Sequence, residues 1–407
     1  MGFEGSELRW CAFEQQFPQF HGNGAVRAEV QSVLIRGMQL SICVHLRLLF
    51  ILPTDESRCI KFHAHGITSS LFKADPGLAS FGSVLPTADQ PGGGTHLIMR
   101  QGLLWLSEQQ RAFNFVRRNR LARKFASRFV AGETIEEAVR AARDLAAKNI
   151  TSSLDLLGES VTVESDAIAA RDQYLTMLDR MAAAGEEVNV SVKLTQMGLD
   201  IGEDLCHANM VRILEKAKQL GGFVRLDMEG SAYTQRTLDF FTGRLFGSFG
   251  SHCGVVIQSA LRRSESDIND LIALKARVRL CKGAYLEPPA IAFPDKKDVD
   301  QNYVRLMERL LREGNYPGLA THDETILDHA RRLVSRERIP ADRFEFQMLY
   351  GVRRDLQGRL RHQGFNMRVY IPFGTQWYPY LMRRLAERPA NIVFILGNLI
   401  RESVPGR

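Results

Sequence analysis

VNVSVKLTQMGLDIGEDLCHANMVRILEKAKQLGGFVRLDME, residues 188–229, reads as a strand, a helix and a strand. The outer segments, VNVSVKLT (188–195) and FVRLDME (223–229), are short apolar runs that close on polar or charged side chains. Between them NMVRILEKAKQL carries apolar residues at helical spacing. Two strands joined by a helix in about 40 residues form a parallel βαβ unit, because parallel neighbours need a crossover of that size. The pattern continues in both directions through TSSLDLLGE (151–159), CGVVIQS (253–259), ARVRLCKGA (276–284), PGLATHD (317–323), FEFQMLYG (344–351) and MRVYIPFG (367–374), with helical stretches such as ILDHARRLVSR between them. Eight strand candidates then begin at a mean spacing of about 31 residues, the size of one βα unit. Near-continuous apolar strands, and no GxGxxG after the first, favour an α/β fold of the (β/α)8 TIM-barrel type over an open doubly wound sheet.

Ahead of the strands, residues from about 106 to 149 are helical in pattern. Thr134-Ile-Glu-Glu137 is a capping box, and Ile135, Ala138, Val139, Ala142, Leu145 and Ala146 follow on one face. Two or three helices are expected over 99–150, with the barrel over 151–400. Residues 1–98 differ: they hold 15 charged residues, against 84 in the remaining 309. They also hold five of the ten His, and a loop-like QPGGGTH at 90–96. This leader is expected to be unstructured or foreign, lying upstream of a true start at Met99. The alternative is a short added domain, and the mass of the natively expressed protein distinguishes the two.

With 407 residues, 45% hydrophobic and 24% charged, the chain has a globular composition and enough length for a large core. Its 53 basic and 46 acidic residues leave a net charge of +7 without a long run of one sign, so nothing calls for nucleic acid. The six Cys, at 11, 43, 59, 206, 253 and 281, contain no CxxC. Neither a metal site nor a disulfide scaffold is expected, and a reducing cytoplasm fits. The most apolar stretch, LSICVHLRLLFILP (40–53), includes His45 and Arg47, and at about 14 residues it is too short to span a bilayer. It also starts too late for a signal peptide.

A barrel places its chemistry at the carboxyl ends of its strands, so polar residues closing each run are the candidates. They are Asp155 and Glu159, Lys193, Asp227 and Glu229, Gln258, Arg279 with Lys282, Thr321 with His322, Gln347 with Tyr350, and Tyr370. For each alone, a barrel-lining polar residue or a solvated rim charge is an equal explanation; agreement across eight strands favours function. After the last strand, PFGTQWYPYLMRRLAERP reads as a loop and a helix, with Pro379 in the first turn. Arg383 and Glu387 are four apart, as are Tyr380 and Arg384, so the adjacent arginines form a clamp suited to a small carboxylate, with Glu387 steadying one of them. Taken alone, RRxxE is more often a routine surface pair. In RLCKGA (279–284), Gly283 and Ala284 permit close approach of a large planar ligand, and Arg279 and Lys282 add positive charge, which suits a flavin.

Taken together, LDLLGE, SVKLTQMGLD, VRLDME, VVIQS, VRLCKGAYLEP, AFPDK, ATHD, RFEFQMLYGVR, RVYIPFG and WYPYLMRRLAERP resemble the proline dehydrogenase family, in particular its short monofunctional bacterial form. They follow the family's order over roughly residues 108–400, and nothing before about 100 takes part. The resemblance implies a distorted (β/α)8 barrel that binds FAD non-covalently and oxidises L-proline to pyrroline-5-carboxylate, the first step of proline degradation. It implies that Lys193, Arg383 and Arg384 hold the substrate carboxylate, with Glu387 as ion partner of the clamp. Tyr285, Leu349, Tyr370 and Tyr380 then surround the ring. Asp227 corresponds to the family's strand-three acid, and Arg279 to the arginine beside the reactive nitrogen of the flavin. Flavin contacts carry over to Met228, Gln258, Lys282, Gly283, Ala284, Thr321 and His322. Cys281 departs from the family's usual aliphatic residue and reads as a core thiol.

Implied partners are a quinone that accepts the electrons and a pyrroline-5-carboxylate dehydrogenase that consumes the product. Membrane contact is expected to be peripheral at most, through basic surface such as Arg117 to Lys124 or the C-terminal helix region. The competing readings are a barrel aldolase, an oxidoreductase of another cyclic amine such as hydroxyproline, and a binding module without activity.

Overall fold

The computed structural model describes residues 126–285 and 287–387. The 1–98 leader, the expected helices before 126 and the chain beyond 387 lie outside the described residues, as do the side chains of Arg383, Arg384 and Glu387.

The apolar runs become eight strands: β1 (Thr151–Leu156), β2 (Asn189–Val192), β3 (Phe223–Leu226), β4 (Cys253–Gln258), β5 (Arg277–Cys281), β6 (Gly318–Ala320), β7 (Glu345–Leu349) and β8 (Met367–Phe373). All pair in parallel, each with the next, and β8 closes on β1 from Thr151↔Arg368 to Leu156↔Phe373. The closed barrel is the expected one. Nine longer helices accompany it among the described residues: α1 (Ile135–Ala146), α2 (Glu164–Ala183), α3 (Glu203–Gln219), α4 (Ser231–Phe240), α5 (Ser264–Ala273), α6 (Lys296–Glu313), α7 (Glu324–Glu337), α8 (Arg354–His362) and α9 (Trp377–Glu387).

The strands are not apolar on both faces. Leu154, Val190, Val192, Leu226, Val255, Ile257, Leu280, Phe346, Val369 and Ile371 are buried in the main core with the helices, each worth about 1.5–3 kcal/mol for a fully buried aliphatic or aromatic side chain. The alternate positions hold Ser153, Asp155, Ser191, Arg225, Arg279, Glu345, Gln347 and Arg368, also buried. These reach one another across non-adjacent strands, as when Arg279 of β5 donates to Ser191 of β2 at 3.1 Å. Such contacts run through the barrel interior, so its lumen is packed with a polar network instead of the aliphatic layers usual in such barrels.

The ends depart from a regular barrel. Helix α1 starts at the expected capping box, with Thr134 Oγ1 accepting from the Glu137 amide at 3.3 Å and Glu137 Oε2 accepting from the Thr134 amide at 3.1 Å. Its buried Ala138, Val139, Ala142 and Leu145 join the main core beside β1 and β8. Helix α9 goes elsewhere: Trp377, Tyr378, Tyr380, Leu381 and Met382 form a separate apolar cluster with Ala126, Val130 and Leu157, the residue that follows β1. Trp377 Nε1 donates to Glu133 at 2.9 Å, and Ala131 N donates to the Pro372 carbonyl at 3.0 Å. The helix after the last strand therefore sits at the carboxyl rim, and α1 fills the outer wall.

Candidate active site

Strands β2, β3, β5 and β6 end where the next side chain becomes polar. Lys193 and Asp227 are the first residues past β2 and β3, Lys282 the first past β5, and Thr321 and His322 the first past β6. Gln258 and Leu349 end β4 and β7, whereas Arg279 and Tyr370 lie within β5 and β8 and so reach deeper into the lumen.

Several of the predicted residues meet directly. Asp227 Oδ1 accepts from Arg279 Nη1 at 2.7 Å, and its Oδ2 accepts from the Tyr370 hydroxyl at 2.7 Å. Lys193 Nζ lies 3.6 Å from Asp227 Oδ2 and donates to Asp155 Oδ1 at 3.0 Å. The Arg279 guanidinium carbon is 5.2 Å from the centroid of the Tyr370 ring, within cation–π range. Two carboxylates thus face two cations in a site where Asp155 is 1% exposed and Arg279 5%. Burial alone would lower the Lys193 pKa, but Asp155 and Asp227 outweigh it and hold the ammonium well above its ordinary range. Burial raises the Asp155 pKa, with Asp227 adding to it against the pull of Lys193. The Tyr370 hydroxyl is pushed up by burial and by both carboxylates, so it stays a proton donor. Asp155 Oδ2 is buried without a hydrogen-bond partner.

A second group surrounds the β4–β6 ends. Gln258 Nε2 donates to the Glu229 carbonyl at 2.9 Å. Gly283 is exposed with φ +105°, and a Cβ there would come within 3.0 Å of Gln258 Oε1 and 3.2 Å of the Ala260 Cβ. Only glycine adopts that backbone conformation readily, and it leaves bare backbone at the rim. Thr321 Oγ1 accepts from the Asp323 amide at 3.1 Å, and His322 Nε2 accepts from the Leu349 amide at 2.9 Å, joining β6 to β7. Lys282 differs from its expectation as a spare positive charge: Nζ contacts Asp300 at 2.6 Å and Asp323 at 2.8 Å. Burial opposes ionisation of Asp323, but Lys282 prevails and holds its carboxyl below the ordinary range.

Other candidates are spread around the mouth, and the Met228 carbonyl accepts from Gln258 Nε2 at 3.4 Å. Tyr285 is 40% exposed on the loop after β5, and Met228 is buried just past β3. Tyr380 sits in the α9 cluster, on the same helix as Arg383, Arg384 and Glu387. Cys281 is half-buried and carries no disulfide. Ser191, Asp300, Asp323, Glu345 and Arg368 belong to the polar networks but were not singled out by strand-end reasoning. Polar residues at i, i+2 along a strand or its first continuation (Ser191 and Lys193, Glu345 and Gln347, Arg368 and Tyr370) are the signal that marks a polar inner face.

The sequence model described as Proline dehydrogenase matches residues 138–395, more than half of the chain. This chain belongs to the proline dehydrogenase family. It is 43% identical over 308 residues to Proline dehydrogenase of Deinococcus radiodurans, covering 75% of this chain and 98% of that one. It is 39% identical over 299 residues to Proline dehydrogenase 1 of Bacillus subtilis strain 168, covering 71% and 98%. Bifunctional protein PutA of Escherichia coli is 29% identical over 322 residues, which are 24% of its own length. Among solved structures, proline utilization A from Bdellovibrio bacteriovorus inactivated by N-propargylglycine superposes with a TM-score of 0.64 at 24% identity, over 76% of this chain and 38% of that one. That likeness concerns the fold. Both proline dehydrogenases are matched over 98% of their own length, which places this chain with the short forms of the family.

Proposed function

We propose that this chain oxidises L-proline to pyrroline-5-carboxylate with a bound FAD, as the first step of proline breakdown. The observation that carries the reading is the meeting of Lys193, Asp227, Arg279 and Tyr370 at the barrel mouth. Three cations, Lys193, Arg383 and Arg384, are assigned to the substrate carboxylate, with Glu387 steadying the pair on α9. Leu349, Tyr370, Tyr380 and Tyr285 are assigned to the proline ring. Holding the carboxylate at one end fixes which ring carbon faces the cofactor, so orientation supplies much of the rate.

The residues present fit a flavin. Bare backbone at Gly283 and Ala284, the Gln258 amide, Thr321, His322 and Lys282 form a mixed donor and acceptor rim, with Met228 beside it and Arg279 below. When bound, FAD supplies the hydride acceptor. Arg279 then stabilises the negative charge that develops next to it. Its own charge is balanced by Asp227, so the guanidinium stays ordered in the lumen. The proton lost from the substrate ammonium goes to water or to Asp227. Lys282, clasped by Asp300 and Asp323, acts as an anchored donor at the rim.

Gly283→Ala should weaken FAD binding about tenfold, since a Cβ at a positive-φ position costs on the order of 1–3 kcal/mol and also meets Gln258. Fluorescence titration of the apoprotein with FAD measures it. The electrons are proposed to pass to a quinone and the product to a pyrroline-5-carboxylate dehydrogenase. Among the described residues no helix is long and apolar enough to cross a membrane; a cytoplasmic enzyme that meets the membrane peripherally is part of the proposal. The proposed basic contact at Arg117 to Lys124 lies outside the described residues.

Dye-linked turnover tests the substrate assignment. Reduction of an artificial acceptor that depends on L-proline and is much slower with hydroxyproline is expected. Faster turnover of hydroxyproline would replace the assigned substrate.

A further inference from the structure

The predicted strand-end residue Gln347 has no role in the reaction as proposed above, yet it is 3% exposed and joined on both sides to buried charge. Its Oε1 accepts from Arg279 Nε at 2.5 Å, and its Nε2 donates to Glu345 Oε1 at 2.5 Å. Glu345 is itself fixed by Arg368, whose Nε reaches its two oxygens at 2.9 and 3.0 Å. Arg368 is held in turn by the Ser152 carbonyl at 2.7 Å and by Glu187 at 2.8 Å. The line therefore runs through the lumen from Glu187 to Asp227 without a gap.

An amide has two different ends, and its neighbours decide which way it lies. With Glu345 ionised, the NH2 end must face the carboxylate, and the carbonyl end then faces Arg279. Burial opposes that ionisation, but the Arg368 guanidinium outweighs it and keeps the Glu345 pKa below its ordinary value. The reversed amide would set NH2 against the Arg279 N–H and a carbonyl against a carboxylate. Strand β6 gives independent evidence that the barrel is shaped around this amide: a Cβ on Gly318 would overlap Gln347 Nε2. Glycine at 318 leaves the space that the side chain fills.

We infer that Gln347, its amide direction set by Glu345, is a positioning residue that fixes the Arg279 guanidinium for the reaction. With Nε committed to Gln347, and Nη1 to Asp227 and Ser191, the plane of the guanidinium has no freedom to turn. The inference rests on the reading of Arg279 as the cation beside the flavin. Gln347 itself is not assigned to substrate or cofactor.

The test compares the wild-type full-length holoenzyme with Gln347→Met, which keeps the volume and removes the acceptor, and with Gly318→Ala, which presses on the same amide from β6. Both variants are expected to retain flavin content and the KM for proline, while kcat falls about tenfold, the scale of a lost hydrogen bond to a charged group. The flavin midpoint potential should move to a more negative value, because a cation that is no longer held in place stabilises the reduced form less. Crystal structures of wild type and Gln347→Met read the same point without turnover: Arg279 should leave Asp227 in the variant. Wild-type kcat and potential in Gln347→Met would overturn the inference. So would a variant that melts earlier and loses flavin but keeps the wild-type kcat per bound flavin, since that is a purely structural role. A wild-type protein that carries no flavin would defeat the proposed function instead, and the position of Arg279 would still decide the inference.

Discussion

Lys193→Met should lower kcat/KM for proline roughly 10- to 100-fold, because the charged contact to the substrate carboxylate proposed for it is worth about 1.5–3 kcal/mol. The same change should destabilise the fold by about 3–5 kcal/mol, since removing one partner of a buried ion pair leaves the other uncompensated. Here the residues left behind are Asp155 and Asp227, which now repel each other across the mouth. The pH dependence follows from Asp155, whose folded pKa already lies above its unfolded value through burial. Without Lys193 it rises further. A carboxylate raised in the folded state costs stability above that raised pKa, and the cost fades as pH falls through it towards the unfolded value. Thermal unfolding of Lys193→Met against wild type should therefore show a gap that is wide at neutral pH and narrows in acid. A constant gap from pH 7 to pH 4 would contradict the buried charge cluster. Steady-state proline kinetics near neutral pH read the first effect separately.

The second large effect is expected at the opposite end of the barrel. Arg368→Met removes the guanidinium that pairs with both oxygens of Glu345, in a pair whose side chains are only 5% and 2% exposed. The expected loss is again about 3–5 kcal/mol, but the wild-type pH behaviour has the other sign. Glu345 has its folded pKa below the ordinary value, so in the wild type its stabilisation is complete above the unfolded pKa and is lost as pH falls through the folded one. In Arg368→Met, burial loses its strongest opponent, the pKa of Glu345 rises, and the penalty relative to wild type shrinks as the solution becomes more acid. The double variant Glu345→Met with Arg368→Met should recover much of the loss, because apolar pairs of similar volume replace buried ion pairs at little cost. Denaturant unfolding of the single and double variants checks this. A double variant no better than Arg368→Met alone would mean that the lost contacts to Ser152 and Glu187 dominate.

The barrel was legible because each βα unit carries its own pattern, and FVRLDME or ARVRLCKGA needs no partner to be read as a strand. The mouth was legible for a related reason: several strands end where the first polar residue leaves the core, so Lys193, Asp227 and Lys282 fall just past β2, β3 and β5. The polar lumen was less so. Arg279, Gln347, Glu345 and Arg368 become partners only when closure sets the registers, Gln347 opposite Arg368 in the β7–β8 pair and Gly318 opposite Arg279 in the β5–β6 pair. No spacing along the chain contains that information. Lys282 shows the same limit, since Asp300 on α6 and Asp323 after β6 reach it through the packing of two further units. Helix α9 was placed in sequence by its loop and its arginines. Its position over the rim depends on Ala126, Val130 and Leu157, none of which carries a signal for it.

The central claim is that this barrel holds a flavin which proline reduces. The direct measurement is the visible absorbance spectrum of the purified full-length protein, before and after anaerobic addition of L-proline. A flavin band that bleaches on addition is the predicted result. A colourless folded protein, or a flavin band that proline leaves oxidised, would contradict it.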